Sequence, residues 1–237
     1  GTAHQLAIES AQPKIVENEQ GLIINFVIEG CRVNGEAAAA TLQTDFGDIP
    51  AGESAVARWI MRCTLSGAFV EFTADYAHAD ELGGELTSLL EEMNTHVLVR
   101  DVLVDLPGRD TVHDFLAGGE GVLRVYESNG VDSDVSNRSD AATLTALRAE
   151  RRRVEYELTV PATAGFAYAR LRDPFGGDKI ITGTVRDDGK TMALDNVWLS
   201  KTRNEDHSWR YFVNLFDANT TGTYTITFDD PGAVPQP

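Results

Sequence analysis

Along most of this chain, polar and apolar side chains trade places every second residue, and that period of two restricts the fold more than any other feature. In residues 55 to 65, Ala57, Trp59, Met61, Cys63 and Leu65 fall on one side, with Arg58, Arg62 and Thr64 on the other. Residues 69 to 78 repeat the pattern, with Val70, Phe72, Ala74 and Tyr76 set against Glu71, Thr73 and Asp75. Successive side chains of a strand point to opposite faces, so these segments read as half-buried strands, and residues 22 to 29 join them. Turn segments lie between: Asn34-Gly35, Phe46 to Gly52, and Leu82-Gly83-Gly84. Their spacing suits an antiparallel sandwich. Leu86, Leu89, Leu90 and Met93 are spaced for a short helix over 86–93, ahead of a strand from Val97 to Leu106.

Leu106-Pro107-Gly108-Arg109-Asp110 interrupts the pattern with a residue that cannot donate to a ladder and one that accepts any backbone angle. A domain boundary is expected there, giving domains 1–106 and 107–237, and 237 residues suit two all-β modules. Beyond it, Val122–Tyr126, Val154–Val160, Phe166–Leu171, Lys179–Val185, Thr191–Leu199, Trp209–Phe216 and Thr223–Phe228 all read as strands. Asp187-Asp188-Gly189 supplies a tight hairpin turn. Ser139 to Arg153 fits either a capped helix or a strand, and the Pro- and Gly-rich end from Asp230 to Pro237 has linker composition. The predicted fold class is all-β, with two tandem antiparallel β-sandwich (immunoglobulin-like) domains.

Twenty Lys and Arg against 37 Asp and Glu leave a net charge of −17, which repels phosphate backbones and anionic lipid heads. Nucleic acid is therefore not an expected partner. Every apolar run is broken long before the ~20 residues needed to cross a bilayer, so no membrane span is expected. The chain opens Gly1-Thr2-Ala3-His4, and any export signal is expected to lie outside it. Cys31 and Cys63, both beside expected strands, fit one disulfide in an oxidising compartment or two buried thiols. Asn137-Arg138-Ser139 and Asn219-Thr220-Thr221 are glycosylation triplets, making Asn137 and Asn219 candidate acceptors in a secreted protein.

Val16 to Gly21 before a strand, then Phe46-Gly47-Asp48-Ile49-Pro50-Ala51-Gly52-Glu53-Ser54 before a Trp-bearing strand, resemble bacterial adhesion-related immunoglobulin-like modules of the CARDB-like kind over residues 5 to 106. Thr221 to Phe228 resembles the last strand of secreted bacterial β-sandwich domains. The resemblance implies an extracellular or cell-surface location and a spacer, adhesive or assembly role, with no catalytic residues to carry over. Antibody-type domains set the core Trp between two distant cysteines, whereas Trp59 lies four residues before Cys63.

No catalytic signature emerges. There is no Gly-x-Ser-x-Gly elbow, no His-Glu-x-x-His, and Gly118-Gly119-Glu120-Gly121 lacks the Lys-Ser/Thr of a phosphate loop. The five histidines, His4, His78, His96, His113 and His207, are scattered. Asp132, Asp134 and Asp140 open like a calcium loop, but Asn137 stands at the sixth position and Thr143 at the twelfth, so a structural Ca²⁺ competes with a solvated polar loop. No other cofactor is expected.

Residues 1 to 106 carry a net −12 and residues 107 to 237 a net −5. Arg148, Arg151, Arg152 and Arg153 are a candidate interface patch that could dock on the acidic first domain of the same or another chain. The competing reading is a solvated charged face. Trp198, Trp209, Tyr211 and Phe212 form either a sugar-stacking platform or core. The sequence thus predicts a non-catalytic extracellular structural or adhesive module. One version of it is a filament or layer subunit in which Thr2 to Ile8 adds a strand to a neighbour. Expected partners are other copies, neighbouring modules of a larger surface protein, or glycans. The alternative is a carbohydrate-binding module.

Overall fold

A computed structural model describes residues 1–15, 26–63, 69–77, 96–119, 121–150 and 152–232. Among them the chain is all-β, with seventeen strands and two 3-10 turns. The helix expected over 86–93 lies outside the described residues, as do Arg151 and the last five residues. No helix among the described residues is long and apolar enough to cross a membrane. The chain divides into two units, Gly1–Thr95 and His96–Pro237.

The first unit holds β1 (Ala3–Ile15), β2 (Phe26–Val33), β3 (Glu36–Ala38), β4 (Thr44–Ile49), β5 (Ala57–Cys63) and β6 (Phe69–Ala77). They form two antiparallel three-stranded sheets, β4-β1-β6 and β3-β2-β5. Asn34 and Gly35, with φ of +51° and +85°, make the β2–β3 hairpin, whose strand twist requires both central residues on the positive side. In β5 the expected alternation is observed: Ala57, Trp59, Met61 and Cys63 are partly covered, while Arg58, Ile60 and Arg62 are exposed. Phe46 to Ile49, read from sequence as part of a turn, belongs to β4, and the turn follows at Pro50-Ala51-Gly52.

The second unit begins at β7 (Val97–Val102), followed by β8 (Asp114–Gly119), β9 (Val122–Tyr126), β10 (Asp132–Asn137), β11 (Thr143–Ala149), β12 (Arg153–Thr159), β13 (Thr163–Arg172), β14 (Ile180–Arg186), β15 (Val197–Arg203), β16 (Trp209–Thr220) and β17 (Thr223–Asp229). The expected boundary after residue 106 therefore falls inside this unit. Pro107 and Gly108 turn the chain from β7 to β8: Gly108 has φ +84°, and Arg109 N donates to Leu106 O over 3.1 Å. A Pro-Gly pair makes a tight turn as readily as a linker, and pairing of β7 with β8 shows which it is.

A seven-stranded sheet runs β15-β16-β13-β10-β9-β8-β7, and a four-stranded sheet runs β11-β12-β17-β14. The β10–β13 pair is parallel, because the chain leaves the large sheet after β10, forms the β11–β12 hairpin in the small one, and returns. Residues 139 to 153 resolve into a 3-10 turn (Ser139–Ala141) and strand β11. One apolar cluster joins the two sheets: Leu158, Tyr224, Ile226 and Phe228 from the small sheet meet Ala169, Val197, Val213 and Leu215 from the large one. A second cluster gathers Val102, Leu116, Val125 and Val135 with Phe166, Tyr168, Trp198 and Phe216, all from the large sheet, so that sheet curls over its own face.

Its two edge strands approach at Asn196. The buried Asn196 side chain accepts from Leu103 N and donates to Leu103 O, both over 2.8 Å. A 3-10 turn, Leu194–Asn196, presents that amide, and this explains why the strand expected from Thr191 starts only at Val197.

Candidate functional site

The residues singled out by sequence do not converge. Asp132 and Asp134 lie on strand β10 rather than in a loop, and both reach Arg124 of the neighbouring β9, at 2.8 and 3.2 Å. Asp140 sits apart in the 3-10 turn after β10. The calcium reading is therefore corrected: a guanidinium holds the first two carboxylates, and the third is displaced from them. Among the described residues no group of three or more His, Cys, Asp or Glu side chains could hold a metal ion.

Cys31 and Cys63 lie on paired strands but out of register, Cys31 opposite Trp59 and Cys63 opposite Phe26. At about 3.3 Å per residue, the four-residue offset separates them by ~13 Å, beyond the reach of a disulfide. Both thiols are free, and Cys31 is buried with its Sγ 3.9 Å from Thr44 Oγ1. Of the two readings, a bridge or two thiols, the structure has the thiols, Cys31 buried and Cys63 half-buried.

Thr2 to Ile8 is not a free strand. Ala3 to Ile8 pairs with β4, and Ala7 and Ile8 also pair with β6, so β1 is the middle strand of its own sheet. Asn137 and Asn219 are both exposed, and their side-chain oxygens accept bonds from Ser139 and from Gly165 N. In the arginine run, Arg148 pairs with Glu150, and Arg153 makes two 3.2 Å bonds to the carboxylate of Asp229. Arg152 accepts a bond from Lys179 Nζ at its backbone oxygen. The pairing with Arg153, together with a bond from Thr182, holds the Asp229 carboxyl below the usual range.

The densest polar constellation surrounds Asp217, which is 1% exposed on β16. Arg186 Nη1 lies 2.9 Å from its Oδ2 and Lys190 Nζ 3.3 Å from its Oδ1. Tyr224 Oη is 2.7 Å from the same Oδ2 and 2.6 Å from Thr220 Oγ1. Arg186 also clamps Asp188, whose carboxyl is brought down to about 2 chiefly by that bond. Burial pushes the Tyr224 phenol well above its ordinary value. The arrangement ties the ends of β14, β16 and β17 together.

Other buried acids are equally committed. Glu127 receives Arg109 Nε at 2.6 Å. Asp114 accepts from Val104 N and Ser128 N at 2.9 Å each; burial raises its carboxyl and those two donors oppose the rise. Asp173 accepts from Phe175 N and Gly177 N. Gly177 must be glycine: its φ is +90°, and a Cβ there would stand 2.5 Å from the Tyr211 ring.

The aromatic cluster separates by face. Trp198 is core, Tyr211 and Phe212 are half-buried, and Trp209 is 47% exposed. Lys201 Nζ lies 4.4 Å from the Trp209 ring centre and Arg203 6.0 Å from it, while Arg170 sits 3.7 Å over Phe212. At the outer ends of β13, β15 and β16 the register sorts the cations by face: Lys201 and Arg203 lie with Trp209 on one side of the sheet, and Arg170, Arg172 and Arg210 with Phe212 on the other. Sequence reasoning missed both sets because their members come from different strands, up to 40 residues apart. The available signal was a basic residue at alternate positions in each strand, Arg170 with Arg172 and Lys201 with Arg203. Only the strand register shows that the two pairs take opposite faces of the sheet.

The exposed Trp209 with Lys201 and Arg203 beside its ring, on a strongly acidic chain, is the candidate binding site. No family model, curated protein or solved structure matches the chain.

Proposed function

We propose that the chain is a non-catalytic structural or adhesive module of the cell surface or extracellular space, built from two β-sandwich domains. The observation that supports this best is the state of the buried carboxylates in the second unit. Asp114, Glu127, Asp173, Asp217 and Asp229 are each held by backbone N–H groups or by cations. Acid–base or nucleophilic work needs a lone pair free within reach of a substrate. These groups spend theirs on joining strand ends. Extended ladders between twisted sheets hold shape, and the acidic exterior keeps such a module dissolved. The surface location rests on the likeness of residues 5 to 106 to adhesion modules.

A panel of glycoside, ester and peptide substrates offered to the full chain tests the reading, with no turnover expected and turnover above the uncatalysed rate overturning it. Atomic-force stretching of the full chain is expected to show the second unit opening in one cooperative step. The exposed Trp209 favours a second reading, a carbohydrate-binding module. A glycan array decides between the two: binding abolished by Trp209→Ala selects the carbohydrate module.

A further inference from the structure

We propose that Trp209, Lys201 and Arg203 form a binding site for an acidic saccharide, in which a uronic-acid ring lies on the indole and its carboxylate is taken by the two cations. Alternate residues of paired strands share a face, so the series Val197, Leu199, Lys201, Arg203 of β15 runs beside Leu215, Val213, Tyr211, Trp209 of β16. The small sheet covers the inner part of that face: Val197, Val213 and Leu215 are core, and Leu199 and Tyr211 are half-buried. Towards the hairpin tip the cover ends, leaving Lys201 and Arg203 exposed and Trp209 47% exposed. The Tyr211 ring closes on Gly177, whereas the Trp209 ring has Lys201 Nζ at 4.4 Å and Arg203 at 6.0 Å from its centre.

Those two cations keep their charge. Elsewhere in the second unit carboxylates neutralise Arg109, Arg124, Arg153, Lys179, Arg186 and Lys190. Lys201 and Arg203 make no ion pair among the described residues, and an aromatic face positions a cation without cancelling it. Glu205 and Asp206 of the hairpin tip are exposed, but neither pairs with them, and Asp206 is bonded to Ser208. Register sets Arg203 directly opposite Trp209 and Lys201 on the adjacent diagonal, so the origins of both cationic side chains lie within about 8 Å of that of the indole. A sugar ring stacks its C–H face on an indole, and a guanidinium takes a carboxylate through two parallel bonds. A neutral sugar would use the indole and leave both cations idle; a uronate uses all three groups. The chain's net charge of −17 repels a polyanion at a distance, but charges more than about 10 Å away are largely screened at 0.1 M salt, whereas contact pairs are not.

This inference rests on the carbohydrate-binding reading of Trp209 and names the class of sugar. Its test is calorimetric titration of the full chain, at about 0.1 M salt, with oligogalacturonate, with oligomannuronate and with the methyl ester of oligogalacturonate. At least one uronate is expected to bind, and the ester, which keeps the backbone and loses the charge, to bind roughly tenfold or more weakly. Trp209→Ala and Lys201→Gln/Arg203→Gln should each weaken uronate binding roughly tenfold or more, and Trp209→Phe, which keeps a ring, should lose less, which guards against a misfolded alanine variant. Arg172→Gln/Arg210→Gln removes the same charge from the opposite face and should leave the affinity within about twofold. No binding of either uronate, an ester bound as tightly as the acid, or binding lost in the opposite-face variant and kept in Lys201→Gln/Arg203→Gln overturns the proposal. Neutral glycans bound through Trp209 with no uronate binding overturn the acidic selectivity and leave the carbohydrate reading standing; no glycan binding of any kind removes both.

Discussion

The two units are built from the same kind of strand to very different depths. In the first, the described side chains alternate between half-covered and exposed, and Cys31 and Thr44 alone among them are buried. In the second, β16 runs Val213-Asn214-Leu215-Phe216-Asp217-Ala218 with every side chain buried, because the small sheet covers one face and the curl of the large sheet covers the other. A period of two therefore sets which face a residue takes, and the number of layers sets how deep that face lies. A strand covered on both sides must also bury polar groups, and it does so only where partners reach them: Asn214 bonds Tyr168, Trp198 O and Ser200, and Asp217 meets Arg186, Lys190 and Tyr224.

Removing one partner from that doubly covered strand gives the largest expected effect. Arg186→Gln leaves Asp217 buried beside a weakened set of donors and should cost the second unit about 3–5 kcal/mol, read as a fall in its urea midpoint with the slope unchanged. An unchanged midpoint would mean that the second unit does not depend on this network.

Depth of burial is tested by a pair of truncations. Phe228→Ala should cost about 3–5 kcal/mol, while Ile60→Ala, at a position 48% exposed on β5, should stay within about 0.5 kcal/mol. Equal costs would erase the contrast between the units. Gly177→Ala should destabilise the second unit by about 1–3 kcal/mol through its backbone angle and the Tyr211 ring, seen as a lowered Tm.

Acid sharpens the comparison further. The Asp188 and Asp229 carboxyls are lowered in the folded state, so they bind protons more readily unfolded, and the stability they add is fully present above the ordinary value of 3.8 and lost as pH falls through their folded values. For Asp188 that window runs from 3.8 down to about 2, and Asp188→Asn should flatten the loss of stability within it. Asp114, raised by burial, works in the opposite sense and offsets part of the loss. The smallest effect is expected from reductant: with both thiols free, it should leave both units' midpoints unmoved, and Cys63 should label before the buried Cys31.

Much of the strand set was legible from local pattern. Val122–Tyr126, the segments around Tyr156 and Tyr224, and the Gly189 turn, with φ +90°, lie where alternation and turn chemistry put them. The misses share one cause. Asp132 to Asn137 is polar enough to read as a loop, yet it becomes a strand because β9 and β13 offer ladder partners on either side. Cys31 and Cys63 each lie beside an expected strand, and although those strands do pair, a four-residue slip in register parts the two thiols. The arginine run looked like one patch because it is contiguous, whereas Arg148 and Arg153 are each paired with a carboxylate.

Local chemistry thus determined the all-β character, the faces of the strands and the acidity of the chain, because a strand's side-chain period and a residue's charge belong to the residue and its immediate neighbours. Tertiary structure alone decided the strand order, the burial of β16 on both faces, the fate of each carboxylate and the sorting of the cations of β13, β15 and β16 onto two faces. Those depend on register between segments far apart in the chain, and a shift of one residue there moves every side chain to the other face.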